Sequence, residues 1–215
     1  TNTTPGLCRL DPNTGIGDPT PAFTYCLNLA EVEVDTKTGK TTVLKFTCVD
    51  FVGRIGNIDA VNGQAYSGIM HGIGFALKED YADVKKHANM FGAGTSYIKD
   101  VPDDINLIHI DGAISDGPFG SSGASEAFQA SGHCAVLNGI YNACGVRIHE
   151  IPALPEKVKA GLDAIAKGEK PYEPKKYFLG SDMYEELENI KENPVQVGTQ
   201  SFYVSLDDPT AERPF

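Results

Sequence analysis

Residues 23–53 read FTYCLNLAEVEVDTKTGKTTVLKFTCVDFVG, and the fold class turns on this stretch. Its first part has strand composition, and Ala30, Val32 and Val34 alternate there with Glu31, Glu33 and Asp35. Thr36-Lys37-Thr38-Gly39-Lys40 supplies a turn with glycine near its end, and residues 41–53 return. Two strand-like runs around such a turn predict a β-hairpin. Phe23, Tyr25, Leu27 and Leu29 fall on the opposite face from Cys26 and Ala30. Apolar residues on both faces predict a strand covered on both sides near its start and half exposed near its end.

Outward from the hairpin, residues 1–21 are rich in Pro, Gly, Asn and Asp and read as an irregular lead-in. Residues 57–80 read as a helix, because Ala60, Val61, Gln64, Ala65, Gly68, Ile69, Gly72, Ile73, Ala76 and Leu77 recur at helical spacing. Gly63, Gly68, Gly72 and Gly74 each cost that helix ~1 kcal/mol relative to alanine. Close approach of another backbone or of a bulky ligand is the expected compensation. Residues 81–104 look like a surface excursion. Residues 105–110 alternate as a strand, and a Gly/Ser-rich loop leads to a helix over 126–143 that Gly145 ends in a C-cap position. A short strand is expected over 146–151. Pro155 opens a helix to about Lys167, residues 183–193 form a charged helix, and 194–215 are an irregular tail. The element order favours an α+β fold, a mixed sheet with a hairpin and packed helices. Residues 1–21, 22–170 and 171–215 are taken as lead-in, main region and C-terminal extension.

The chain has 215 residues, enough for one good-sized core, and its 41% hydrophobic and 22% charged residues are ordinary globular values. A net charge of -11 argues against nucleic acid, whose phosphates require clustered Lys and Arg, and against an anionic membrane surface. No apolar run approaches the ~20 residues that span a bilayer. The start, Thr1-Asn2-Thr3-Thr4-Pro5-Gly6, lacks Met and any signal-peptide pattern, and looks like the middle of something longer, a cleaved polypeptide or a recombinant fragment. Cys8, Cys26, Cys48, Cys134 and Cys144 form no C-x-x-C pair. The last four lie in apolar runs, which predicts buried free thiols and a reducing, cytoplasmic compartment.

Neither an iron–sulfur nor a zinc ligand set is present. His71, His87, His109, His133 and His149 show no metal-ligand spacing and read as surface or core-edge histidines, with His71 singled out only because it lies on the glycine-rich helix. Nucleophile-elbow, P-loop and dinucleotide fingerprints are absent. What remains is the loop Gly120-Ser121-Ser122-Gly123-Ala124-Ser125-Glu126, set between a strand and a helix. Backbone amides in such a loop can cradle an anion or a polar cofactor edge. The residues alone leave two readings of Glu126. It either complements the helix dipole for ~0.3–1 kcal/mol behind a Ser125 N-cap, or it is a working carboxylate beside that cradle.

Four stretches, in order, resemble the C-terminal region of the xanthine oxidase/aldehyde oxidoreductase family of molybdenum hydroxylases. Residues 30–39, AEVEVDTKTG, are similar to the family's hairpin. Asp50-Phe51-Val52-Gly53-Arg54, with Asn62-Gly63-Gln64 and Gly72-Ile73-Gly74, is similar to its DVGR…GQ…GLG stretch. Residues 120–126 line up with its GxxGxGE loop, and residues 138–148 with its NAIYxAxGVRI segment. The match spans about residues 25–158, and bacterial aldehyde oxidoreductases resemble it best, sharing a tail like Pro155-Glu156-Lys157-Val158 and Tyr177-Phe178-Leu179-Gly180.

The resemblance implies a larger molybdopterin-binding domain to which residues 22–170 contribute, with a molybdenum-molybdopterin cofactor in its cytosine dinucleotide form. It implies that Glu126 is the base that activates a molybdenum-bound hydroxyl, and that the substrate is a small aldehyde. It also implies that Gln64 faces the pterin, with Ser121, Ser122, Gly123, Ala124 and Ser125 lining the cofactor. Iron–sulfur clusters, and the rest of the cofactor-binding part, are expected in partner polypeptide. N-heterocycle hydroxylation and a non-catalytic assembly role are the alternatives. Many relatives read Gly-Glu-Pro-Pro where this chain has Ser125-Glu126-Ala127-Phe128, so Phe128 is expected to reshape the substrate approach.

Overall fold

The computed structural model describes residues 9–17, 19, 22–83, 85–114 and 117–169, all within the first of two compact units, Thr1–Tyr172. Cys8, the helix expected over 183–193 and the tail 194–215 lie outside the described residues.

Strands β1 (Tyr25–Val34) and β2 (Thr41–Phe51) form the expected antiparallel hairpin. Asp35 organises its turn: its carboxylate accepts from the Lys37 amide and the Thr38 hydroxyl, and its carbonyl accepts from the Gly39 amide. Strand β3 (Asp104–His109) adds parallel to β2, giving a mixed sheet in the order β1-β2-β3.

Helix α1 (Ile58–Leu77) starts at Asn57, whose side chain accepts from the Ala60 amide at 3.0 Å. Two of its glycines are explained by another backbone. A Cβ on Gly68 would lie 2.7 Å from Phe128 Cβ, and one on Gly72 would lie 3.0 Å from Gly132 Cα. These neighbours belong to α3 (Ala127–Ala130) and α4 (Gly132–Cys144). The expected single helix over 126–143 is therefore two helices, broken at Ser131. Asn28, on the inner face of β1, donates to the Phe128 carbonyl and to Ser131 Oγ there, diverting an acceptor that a continuous helix would use. Gly145 ends α4 in the left-handed conformation, as expected.

No strand forms over 146–151. Val146 is instead buried by its side chain beneath Gly161 of α5 (Pro155–Ala166), where a Cβ on Gly161 would meet the valine methyls. The segment runs beside a helix rather than beside a strand, so it has no ladder to join. Residues 81–104 are the expected excursion, carrying the short α2 (Met90–Ala93) with Met90 and Phe91 exposed.

The core lies between the sheet and the helices. Phe46, Cys48 and Val52 meet Ala65, Ile69, Ile73, Phe128 and Val136, and a smaller cluster joins Ile140, Ala153 and Val158. Only the inner face of the sheet is covered by described residues. Phe23, Tyr25, Leu27 and Leu29 are more than half exposed, which corrects the expectation of a strand start covered on both faces. Strand alternation turns them away from every described helix. Cys48 is buried and Cys26 and Cys144 are half-buried, but Cys134 is exposed on α4, contrary to expectation.

Candidate functional site

Gly53 fixes where the Gly/Ser loop sits. It has φ +74 and bridges to Ser121, and a Cβ there would come within 3.0 Å of Ser121 Cα, so only glycine fits. The Arg54 amide donates to the Gly120 carbonyl at 2.8 Å, and the Ser122 amide donates to the Val52 carbonyl at 2.9 Å. The loop is thereby stitched to the carboxyl end of β2, beside the carboxyl end of its parallel neighbour β3. In α/β arrangements this is where ligands collect.

Ser121 and Ser122 serve the stitching itself. Ser121 Oγ donates to the Arg54 carbonyl, and Ser122 Oγ shares a 2.7 Å hydrogen bond with Thr24 Oγ1, which also donates to the Gly123 carbonyl. The next four amides differ. Those of Gly123, Ala124, Ser125 and Glu126 find no acceptor among the described residues. A Cβ on Gly123 would meet nothing within 4 Å. The cradle expected over the loop thus narrows to its second half.

Glu126 heads α3 with φ -74 and ψ -11, is exposed, and makes no side-chain capping bond; nor does Ser125 take the N-cap position. A four-residue helix offers little dipole to complement, so that reading of Glu126 loses its footing. The carboxylate has no partner among the described residues. Phe128, two residues on, is fully buried against Gly68 and so faces the core, not a substrate approach.

Gln64 stands exposed on α1, next to Gly63, around which there is open space. The helix contacts step in parallel: Gly68 meets Phe128 and Gln129, and Gly72 meets Gly132 and His133. Ala124, in the loop before α3, packs against the cluster that contains Ala65, the residue after Gln64. The loop's second half and the helix that carries Gln64 therefore border the same core cluster. Of the α1 glycines, Gly63 is the one with room beside it.

Sequence reasoning passed over a buried polar chain at the same end. His109 Nδ1 lies 2.7 Å from Asp50 Oδ2, and its Nε2 lies 2.7 Å from Asn62 Oδ1. The Asp50 side chain is 0% exposed and that of His109 11%. Burial pushes the Asp50 carboxyl up, and the hydrogen bond and charge of His109 only partly pull it back. Strand parity could have flagged the pair. Asp50 follows Phe46 and Cys48 on the inner face of β2, and His109 follows Ile105 and Leu107 on that of β3.

Two depressions lie elsewhere. One of about 410 Å³ is lined by the 146–150 segment and α5, and one of about 590 Å³ by the start of β2 and the loop before β3. Neither includes Gln64 or Glu126. Among the described residues no three His, Cys, Asp or Glu side chains gather as metal ligands, and no helix is long and apolar enough to cross a membrane.

A family model described as "Molybdopterin cofactor-binding domain" matches residues 2–102. An aldehyde oxidoreductase of Megalodesulfovibrio gigas is 44% identical over 75% of this chain and 18% of that protein. The nicotine 6-hydroxylase large subunit of Paenarthrobacter nicotinovorans is 31% identical over 67% of this chain and 18% of that protein. Among solved structures, the aldehyde oxidoreductase from Desulfovibrio gigas superimposes with a TM-score of 0.71 at 44% identity, over 74% of this chain and 18% of that one. The chain thus spans 18% of the length of each of these relatives.

Proposed function

The chain belongs to the molybdopterin-binding part of the xanthine oxidase/aldehyde oxidoreductase family of molybdenum hydroxylases, and from that premise we propose that it forms one wall of an active site oxidising aldehydes to carboxylic acids, with Glu126 as the base. The observation that carries the reading is the Glu126 carboxylate itself. It is exposed and unpartnered, and it closes a run of four amides without acceptors, among the described residues.

The residues fit the cofactor's chemistry. A pterin with its phosphates is rich in acceptors, and Gly123, Ala124, Ser125 and Glu126 offer consecutive N–H donors, with open space beside Gly63 and Gly123. Gln64 adds an amide that both donates and accepts. Ser121 and Ser122 hold the loop in place through Arg54 and Thr24 and contact the cofactor through backbone at most. When bound, the cofactor supplies the redox chemistry of the oxidation, and the protein supplies orientation and proton handling. Glu126 accepts a proton on a carboxylate oxygen, which requires it to be ionised and within about 3 Å of the proton it takes. Its place at the end of the anchored loop sets its backbone beside the Gly123 and Ala124 amides.

In this reading residues 22–170 are the cofactor-binding region, and 171–215 an extension of it. The cofactor is the cytosine dinucleotide form, and the enzyme works in the cytoplasm. The remaining walls of the site, and the iron–sulfur groups that carry electrons away, belong to the rest of the enzyme. N-heterocycle hydroxylation is the second reading, favoured by the 31% identity to a nicotine 6-hydroxylase subunit. Offering aldehydes, purines and nicotinate as electron donors to the assembled enzyme separates the two. Glu126→Gln, at unchanged molybdenum content, is expected to lower aldehyde turnover by about 10²–10⁴-fold. Turnover retained with the metal bound would overturn the catalytic role and leave a non-catalytic assembly domain.

A further inference from the structure

We propose that Asn62 and His109 are positioning residues: together with Asp50 they clasp the first two turns of α1 to the carboxyl ends of β2 and β3, and so set where Gln64 stands. The inference rests on the reading of Gln64 as a cofactor contact. It starts from how weakly the beginning of α1 is held. Ile58, Asp59, Ala60, Gly63 and Gln64 are all exposed, and before Ala65 only Val61 and Asn62 are half-buried. The Asn57 cap bonds the helix to itself and ties it to nothing else. Gly63 softens the second turn further, since a helical glycine gives up more backbone freedom than any other residue.

Against this, the clasp is firm. Asn62 Oδ1 lies 2.7 Å from His109 Nε2, and among the described residues this is the polar side-chain contact linking these turns to the sheet. The ring cannot swing, because its other nitrogen is 2.7 Å from the fully buried Asp50 Oδ2. Asp50 and His109 are register partners on parallel strands, so the imidazole is held to β3 by its own backbone and to β2 through Nδ1. Asp50 also lies three residues before Gly53, the glycine that bridges the Gly/Ser loop through Ser121. One short stretch of β2 thus references both the helix that carries Gln64 and the loop that carries Glu126. Side chains that hold a ligand-binding group in place typically matter about 10–100-fold to retention of what it binds. Displacement by about 1 Å at a site can cost 10²-fold in rate.

A role in position separates from a role in stability. Asn62→Ala removes one hydrogen bond but places a better helix former in a half-exposed helix position, so the two effects on stability oppose one another. The test compares Asn62→Ala, Asn62→Asp and Gln64→Ala in the assembled enzyme, reading melting temperature, pterin and molybdenum retained after dialysis, and KM against kcat for an aldehyde. Asn62→Ala is expected to keep its melting temperature within about 3 °C while retaining cofactor about tenfold less well. Asn62→Asp restores an oxygen facing His109 Nε2 and is expected to recover retention. Gln64→Ala is expected to lose it. Retention unchanged in Asn62→Ala but lost in Gln64→Ala overturns the clasp and leaves the cofactor reading intact. Retention unchanged in both overturns the cofactor reading of Gln64 as well. A large fall in melting temperature with no recovery in Asn62→Asp makes Asn62 a structural residue and also overturns the proposal.

Discussion

Two glycines five residues apart on α1 should respond to alanine with opposite signs. In a helix interior alanine is worth about 1 kcal/mol over glycine, from backbone entropy alone. Gly63 has nothing within 4 Å of an added Cβ, so Gly63→Ala should realise that gain. For a chain of this size 1 kcal/mol corresponds to a rise of about 2–4 °C in melting temperature. Gly68→Ala carries the same propensity gain, but its Cβ would sit 2.7 Å from Phe128 Cβ and 3.0 Å from the Gln129 nitrogen. Both neighbours are rigid, since Phe128 is fully buried and Gln129 contributes backbone. Overpacking of this kind costs about 1–3 kcal/mol, so the net change at Gly68 runs from about zero to a loss of about 2 kcal/mol. The difference between the variants isolates the close approach of α1 and α3, because the propensity terms cancel. Denaturant unfolding of the two single variants against the parent measures it. Equal stabilisation by both would refute the close packing of α1 on α3.

Two further outcomes follow from charge and exposure. The Asp100 carboxyl is pushed up by burial, but hydrogen bonds from Lys78 and the Tyr97 amide and the charges of Lys78 and Lys99 hold it below the usual range. A depressed carboxyl contributes stability that is present above its unfolded pKa, about 3.9, and lost as pH falls through the folded value. Asp100→Asn should therefore lower stability at neutral pH and flatten its loss below about pH 4; urea midpoints from pH 2.5 to 7 would show an unchanged acid slope if the ion pair with Lys78 is not formed. Leu27→Ser and Leu29→Ser, on the uncovered sheet face, should change the stability of this chain by no more than about 0.5 kcal/mol. Phe46→Ala on the inner face should cost about 3–5 kcal/mol.

Much of the scaffold was legible because its signals are local. The hairpin followed from alternation around Asp35 and Gly39, α1 from helical spacing after Asn57, and the ends of α4 and α5 from Gly145 and Pro155. The failures were tertiary. Nothing local says that Asn28 would take the Phe128 carbonyl and split a helix, or that Val146 would lie under α5 instead of joining a sheet. The exposure of Leu27 and Leu29 depends on which elements lie beyond the sheet, and alternation cannot supply that. At the site, the Gly/Ser loop, Gln64 and Glu126 were visible as motifs. Which amides stay free was not, because Ser121 and Ser122 are spent on Arg54, Val52 and Thr24, residues distant in the chain. The Asp50–His109–Asn62 chain was hidden for the same reason, since its members are brought together by a parallel strand pairing.

The claim that the second half of the Gly/Ser loop faces the cofactor is open to one direct measurement, amide hydrogen exchange in the assembled enzyme with and without its cofactor. Without it, the amides of Gly123, Ala124, Ser125 and Glu126 have no acceptor among the described residues and should exchange quickly. With it, these four should gain protection, together with the first turns of α1 around Gln64. Unchanged exchange there, with new protection confined to the 146–150 segment and α5, would contradict the account and move the site to the other end of the molecule.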